Sequence, residues 1–436
     1  MVLLGTVYAT WLLAFWPGIL GEDSLAILLE VESQGRFESG KPNFWYFFVK
    51  LFYEPLRLVE APIMVQMGLC ALIFSRILAW CWHQGLRKTF AFLLLFVAVA
   101  PHMIYFMGLL NADGLFSVAT TGLLFEVWLI SRIKKIDAVS FAMVAITLPF
   151  AIFARTNGIV SLIPLFVVGY ALGWPERLKL LGITVFWCGL MLIAGQVHTS
   201  RKHDTLFPLA AFETANFLQP RPMGLKLPLA QVSERTVQIL STYNPIQKTI
   251  ENYDRDYWDP LVYKAGGPDL LRLTPQERSD LVHEFFTHNL WLNIPSFASS
   301  RVNVFLVALL AQGGFAAVQD SAGVIARTKS QSEFRAFQLT GLEKTLKGIF
   351  DFSFSYRWLL WTPVLGIFLL FHTTRLAWKD RDTAVLAIVA PMILQLGGIF
   401  VFSIASEYRY LLPFFILPMV LLPILATPKL HSLSAS

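Results

Sequence analysis

Glu22 and Asp23 are adjacent carboxylates set just after an apolar stretch that closes at Trp16-Pro17-Gly18. A carboxylate at the rim of a bilayer can take the proton of an acceptor hydroxyl as a general base, while a lipid-linked donor lies in the membrane beside it. The plainer reading is a helix cap. Residues 22–35 (EDSLAILLEVESQG) place Leu25, Leu28, Leu29 and Glu32 near one helical face, which predicts a short amphipathic helix on the membrane surface. Acids suit the positive end of its dipole. The loop that follows favours the functional reading. Arg36, Lys41 and Lys50 interleave there with Phe44, Trp45, Tyr46 and Phe52. Rings at this depth form a membrane belt; a lipid phosphate accounts for Lys41 and Lys50 as well.

Further charges stand at the edges of apolar runs, where a place deep in lipid costs about 2.5–3.5 kcal/mol. Arg155 (in ARTNG, 154–158) and Arg409 (in SEYRYLLP, 406–413) are such residues, with Asn157 and Tyr410 beside them. Snorkelling at the interface explains both without a function. As binding groups they match a phosphate, because the guanidinium fork fits its oxygens. Arg301 is a third cation of this kind. Asp113 opens an apolar run; it caps that helix, holds a divalent cation (Mg2+ or Mn2+), or bonds a sugar. The cofactor is otherwise open. His102, His198, His203, His283, His288 and His372 show no metal-ligand spacing and read as ordinary polar residues. Tyr253–Pro260 (YDRDYWDP) reads as a solvated turn, with a calcium or sugar subsite as the alternative. No Walker motif, Rossmann fingerprint or GxSxG elbow is present, which removes support for a nucleotide-sugar enzyme on the cytoplasmic side.

These residues need a membrane scaffold. The chain has 436 residues, 56% hydrophobic and only 15% charged, with mean hydropathy +0.58. Soluble domains carry about 25% charged residues, so an all-α polytopic membrane protein is predicted. The net charge of +6 does not imply nucleic acid, because Lys and Arg collect in cytoplasmic loops. Apolar runs near 2–19, 62–82, 89–107, 114–130, 138–154, 158–174, 180–197, 358–374, 384–404 and 409–427 predict about ten spans. Residues 2–16 read as a retained first span rather than a signal peptide. Short basic loops at 83–88, 131–137, 174–179 and 373–382 place themselves and both termini in the cytoplasm. The chain then divides into a transmembrane core (1–197) with an outer catalytic loop (20–61), a mostly helical outer domain (198–357) and C-terminal spans (358–436). Within the outer domain Thr274 predicts an N-cap, with Pro275 and Glu277 behind it. The run Val302–Val318 is expected as an interfacial or re-entrant helix. Cys70, Cys81 and Cys188 lie in apolar runs, which excludes a disulfide framework.

Taken together, Pro17-Gly18, Asp23-Ser24, the helix after them and Gly35-Arg36-Phe37 resemble the GT-C superfamily of bacterial integral membrane glycosyltransferases that use polyprenyl-phosphate sugars. The resemblance continues in PHMIYFMGLLNADGLF (101–116) with Asp113, in ARTNG, in NIPSFASSRV (293–302) with Arg301, and in SEYRYLLP. At the family's His-Pro position this chain has Lys41-Pro42, so the histidine's role has no counterpart. The resemblance implies a GT-C-like fold in the bacterial cytoplasmic membrane with the active site facing the periplasm or exterior. It implies inverting transfer of a sugar from a polyprenyl-phosphate donor to a glycan, glycolipid or protein acceptor. Asp23 would be the base with Glu22 beside it, and Arg155, Asn157, Arg409, Tyr410 and Arg301 would bind the donor phosphate, joined by Lys41 and Lys50 from the reading of the first outer loop above. The alternative is a lipid or glycolipid flippase or transporter. Such proteins keep polar residues near mid-span and show internal repeats, neither of which is seen here.

Overall fold

The structure, a computed structural model, describes residues 1–34, 36–198, 206–220 and 232–427. Gly35, His203 and the last residues of the chain, among those read above, lie outside the described residues. Every apolar run read as a span carries helix, and among the described residues no strand forms. The lengths differ from the expectation of about ten spans. Among the described residues six helices are long and apolar enough to cross a membrane: Glu60–His83, Ala112–Ile133, Trp174–Val197, Arg357–Lys379, Thr383–Phe402 and Tyr408–Ala426. Two bent pairs bring the number to eight if each pair is one span, and Val2–Ala14, Ala138–Phe153 and Thr156–Tyr170 are shorter apolar helices.

By contacts the chain forms two units. The first comprises Met1–Arg201, Gly314–Gln395 and Arg409–Ser436; the second comprises Lys202–Gly313 and Leu396–Tyr408. This redraws the predicted outer domain of 198–357, because residues 314–357 pack with the apolar helices of the first unit.

The first unit begins with α1 (Val2–Ala14), α2 (Glu22–Glu32), α3 (Asn43–Tyr53), α4 (Glu60–His83), α5 (Arg87–Val99), α6 (Pro101–Gly108), α7 (Ala112–Ile133), α8 (Ala138–Phe153), α9 (Leu162–Tyr170) and α10 (Trp174–Val197). α5 and α6 bend by 58°, at Pro101, which has no N–H to continue the ladder. α7 is the central element, with 20 of its 22 residues buried. The chain leaving α1 is tied to the segment leading into α7. Ile19 N–H donates to Gly108 O at 3.0 Å, and Leu110 N–H donates to Ile19 O at 3.1 Å. That approach needs Gly18: its φ is +118°, and a Cβ there would stand 2.6 Å from Ile63 Cδ1 and 3.0 Å from Gly108 O.

α2 is not the surface helix expected. Ser24, Leu25, Ile27, Leu28, Glu30 and Val31 are all buried, so it packs inside the unit rather than presenting one face to lipid. The rings of the next segment also serve packing: Phe44 meets Phe150 edge-on at 5.1 Å and Trp45 stacks with Phe48 at 5.0 Å. They form core here, not a membrane belt.

The second unit has a core that includes Phe207, Ala211, Ile239, Leu261 and Leu281. The predicted cap is present: Thr274 Oγ1 accepts from Glu277 N–H at 3.3 Å, and Glu277 Oε2 accepts from Thr274 N–H at 2.7 Å. The expected helix over Val302–Val318 ends early. It runs from Ile294 to Leu309 and bends by 103° from Pro275–Leu292. The chain then turns at Ala311 (φ 51°) and Gly313 (φ 124°), which removes 310–318 from the helix. The acids of Tyr253–Pro260 serve the unit's own closure. Asp256 Oδ1 accepts from Asn303 Nδ2 at 2.9 Å, and Tyr257 pairs with Ala405 in an antiparallel bridge.

Candidate functional site

The tie between residues 18–20 and 108–110 sets the first turns of α2 and α7 side by side. Gly21 caps α2, with Ser24 Oγ accepting its N–H at 3.1 Å and donating to Leu110 O at 3.0 Å. Asn111 caps α7, its side chain accepting from Asp113 N–H at 3.3 Å. Asp23 and Asp113 therefore sit second in their helices, and neither is the cap that a plain reading expected. Both carboxylates still lie at positive dipole ends, and their oxygens are left for side chains.

Three cations take them. Lys41 Nζ stands 2.8 Å from Asp23 Oδ1. Arg409 Nη1 pairs with Asp23 Oδ2 and lies 3.9 Å from Asp113 Oδ2. Arg155 pairs with Asp113 Oδ1. Asn111 Nδ2 donates to Asp23 Oδ2 at 3.1 Å, joining the two helix starts. Both guanidinium groups also lie against the Tyr410 ring, Arg155 at 5.1 Å and Arg409 at 5.6 Å. Among the described residues three cations thus meet two carboxylates, one positive charge more than negative. Asp113 is sealed, with 3% of its side chain exposed, whereas Asp23 retains 34%. Asp23 is the carboxylate of this pair that is open to solvent. Burial raises its carboxyl, and Lys41 and Arg409 outweigh that, holding it well below the ordinary carboxylate range. Burial pulls the Lys41 ammonium below the usual lysine value, against the pull of Asp23.

The supports are local. Arg155 leaves α8 at a turn that requires Gly158, where a Cβ would come 2.5 Å from Ala151 O. Asn157 lies in the same turn, and its buried Oδ1 has no hydrogen-bond partner among the described residues. Lys41 is held through Ser39: Lys41 N–H donates to Ser39 Oγ at 3.2 Å, and Ser39 N–H donates to Glu30 Oε2 at 3.2 Å. Glu30 is fully buried, and its other oxygen is 2.8 Å from His198 Nε2, whose ring stacks on Tyr46 at 3.8 Å. His198, read as an ordinary polar residue, is therefore part of the brace behind Lys41.

Sequence reasoning missed Asn111, Ser39 and Glu30. An Asn two residues before an acid at a predicted helix start was a usable signal for Asn111. One acid among the four of α2 gave none for Glu30. Other expected residues do not join. Glu22 faces outward, 79% exposed, and pairs with Arg327 at 2.9 Å. Lys50 is near Glu54 at 3.8 Å and over Tyr46 at 5.6 Å. Arg301 belongs to the second unit. It is buried against Glu213, bonded to Ser403 O, and set between the rings of Phe212 and Phe297, so its fork is committed to the fold. A divalent cation does not fit the cluster: Lys41, Arg155 and Arg409 already stand at the carboxylate oxygens, and among the described residues no group of three or more His, Cys, Asp or Glu could hold one. No family model, curated protein or solved structure matches this chain.

Proposed function

We propose that the chain is a membrane glycosyltransferase that moves a sugar from a polyprenyl-phosphate donor to a glycan, glycolipid or protein acceptor on the outer side of the membrane. The observation that carries this reading is the convergence of Asp23 with Lys41, Arg155 and Arg409, a reachable carboxylate beside an excess of positive charge. A phosphate leaving group supplies the missing negative charge. As Lys41 and Arg409 turn toward it, Asp23 loses the neighbours that keep it a weak base. Asp23 then takes the acceptor hydroxyl proton, and the oxygen bonds to the anomeric carbon. The carbon–oxygen bond to phosphate breaks, and its electron pair stays on the phosphate. One displacement with no enzyme nucleophile inverts the anomeric centre. Arg155 and Arg409, stacked on Tyr410, meet the growing charge with little reorganisation.

The test is mass spectrometry of surface glycans from cells with and without the gene, paired with transfer by purified protein from a polyprenyl-phosphate sugar. Loss of one sugar in the deletion and inverted product in vitro are expected. Unchanged glycans and no transfer would defeat the reading. A flippase without chemistry is the second reading, favoured by the pairing of Asp23 with two cations; it predicts lipid movement that survives Asp23→Asn.

A further inference from the structure

A cavity of about 590 Å³ with both polar and apolar lining lies at the far end of α7 from Asp113. Asp113 stands in the first turn of α7, while Trp128 and Arg132 line the cavity near its end. At 1.5 Å rise per residue the two sites are about 25 Å apart. The cavity lies among the short basic loops 131–137 and 373–382, the end read as cytoplasmic.

Its chemistry is distinct. Trp128 and Thr373, each 2% exposed, line it, and among the described residues Trp128 Nε1–H and Thr373 Oγ1 make no hydrogen bond. Buried polar atoms nearly always have partners, so these two mark a place for an acceptor. The charged wall carries three cations, Arg132, Lys134 and Arg381, against two acids, Asp380 and Asp382. Arg132 is paired with Asp382, whereas Lys134 and Arg381 enter no ion pair among the described residues. Both take left-handed backbone, φ 58° and 54°. Leu376 and Ile424 add an apolar wall. Ile133 and Trp378 are exposed beside it, 56% and 76%, as suits the headgroup level of a bilayer. Cations, free donors and an apolar wall at that depth suit an amphiphile with a phosphate head better than a free anion.

We propose that this cavity binds the phosphate headgroup of an anionic membrane lipid, with the phosphate between Lys134 and Arg381 and accepting from Trp128. The site does not depend on the glycosyltransferase reading. The test is native mass spectrometry of the purified full chain in detergent with a mixture of phosphatidylglycerol and phosphatidylcholine. Preferential retention of phosphatidylglycerol is expected. Replacing Lys134 and Arg381 together by Ala should lower it on the order of 20-fold, since each cation near an anionic surface contributes about fivefold. Trp128→Phe keeps the ring and removes the N–H; it should cost about fivefold. Circular dichroism confirms that both variants are folded. Unchanged retention in both variants would overturn the site. Displacement by millimolar inorganic phosphate would overturn the lipid assignment, and binding seen only after deletion of residues 428–436 would make the chain's own tail the occupant.

Discussion

Asp23→Asn separates catalysis from binding. The amide has nearly the carboxylate's size but no charge. Lys41 loses its partner at 2.8 Å, Arg409 loses its own, and the Asn111 bond at 3.1 Å survives only if the amide oxygen turns toward it. The cost to stability is small, because partly exposed ion pairs contribute about 0–1 kcal/mol each. Two pairs therefore amount to less than about 2 kcal/mol, and for a chain larger than 150–250 residues Tm should move by only a few degrees. The excess of positive charge over Asp113 rises from one to two, so the donor phosphate should bind as well as before or better. Proton removal fails, because the amide cannot take a proton; general-base loss costs about 10²–10⁴-fold. The expected result is a fall in kcat of at least about 100-fold with the donor KM unchanged or lower. The assay uses purified protein in detergent with a radiolabelled polyprenyl-phosphate sugar, and melting curves are recorded on the same samples. Glu22→Gln is the control. Its partner Arg327 is 52% exposed and Glu22 is 79% exposed, so transfer should change by less than about twofold. If Asp23→Asn turns over within a few-fold of the parent, Asp23 is not the base. If kcat is lost together with the fold, the residue is structural.

Arg409→Lys keeps the charge but not the guanidinium fork, whose Nη1 faces both Asp23 and Asp113, and should raise the donor KM about tenfold with little change in Tm; unchanged kinetics would reduce Arg409 to an interfacial anchor. The phosphate role needs Lys41 as an ammonium, and burial lowers its pKa, so activity should fall with rising pH before the ordinary lysine value of about 10.4. Lys41→Arg should move that alkaline limb upward, and a limb that stays in place assigns it to another group. Arg301→Met strands Glu213 in the second unit and should cost about 3–5 kcal/mol by thermal unfolding, most of it recovered when Glu213→Leu is added; a silent Arg301→Met would free that arginine for a ligand role. Cysteines at exposed Arg36 and Lys135 should label from opposite sides of intact spheroplasts, Arg36 from outside, and labelling of both from one side would end the topology used here.

Hydropathy is a local property, which is why the apolar runs were legible as helices while their lengths were not. α1 stops at Ala14 short of Pro17, and the run 89–107 is broken by a 58° bend between α5 and α6. The site shows the same divide. Asp23, Asp113, Arg155 and Arg409 could be singled out as acids and cations at span edges. Their meeting, across as many as 386 positions for Asp23 and Arg409, is set by tertiary bonds that no periodicity carries. The choice between Lys41 and Lys50 rests on Glu30, through Ser39, and nothing in the sequence sets the buried Glu30 apart from Glu32 beside it. The choice between Glu22 and Asp23 follows from helix geometry once one neighbour is fixed. Successive residues on a helix diverge by about 100°, so two adjacent acids cannot both face one cluster. Ser24 Oγ bonded to Leu110 O fixes the rotation of the start of α2. The direction left for Asp23 is across to Asn111 and Arg409, and the one left for Glu22 is outward to Arg327. The adjacent acids after α1 thus divide into one that faces the cationic cluster and one that ties the loop beside it.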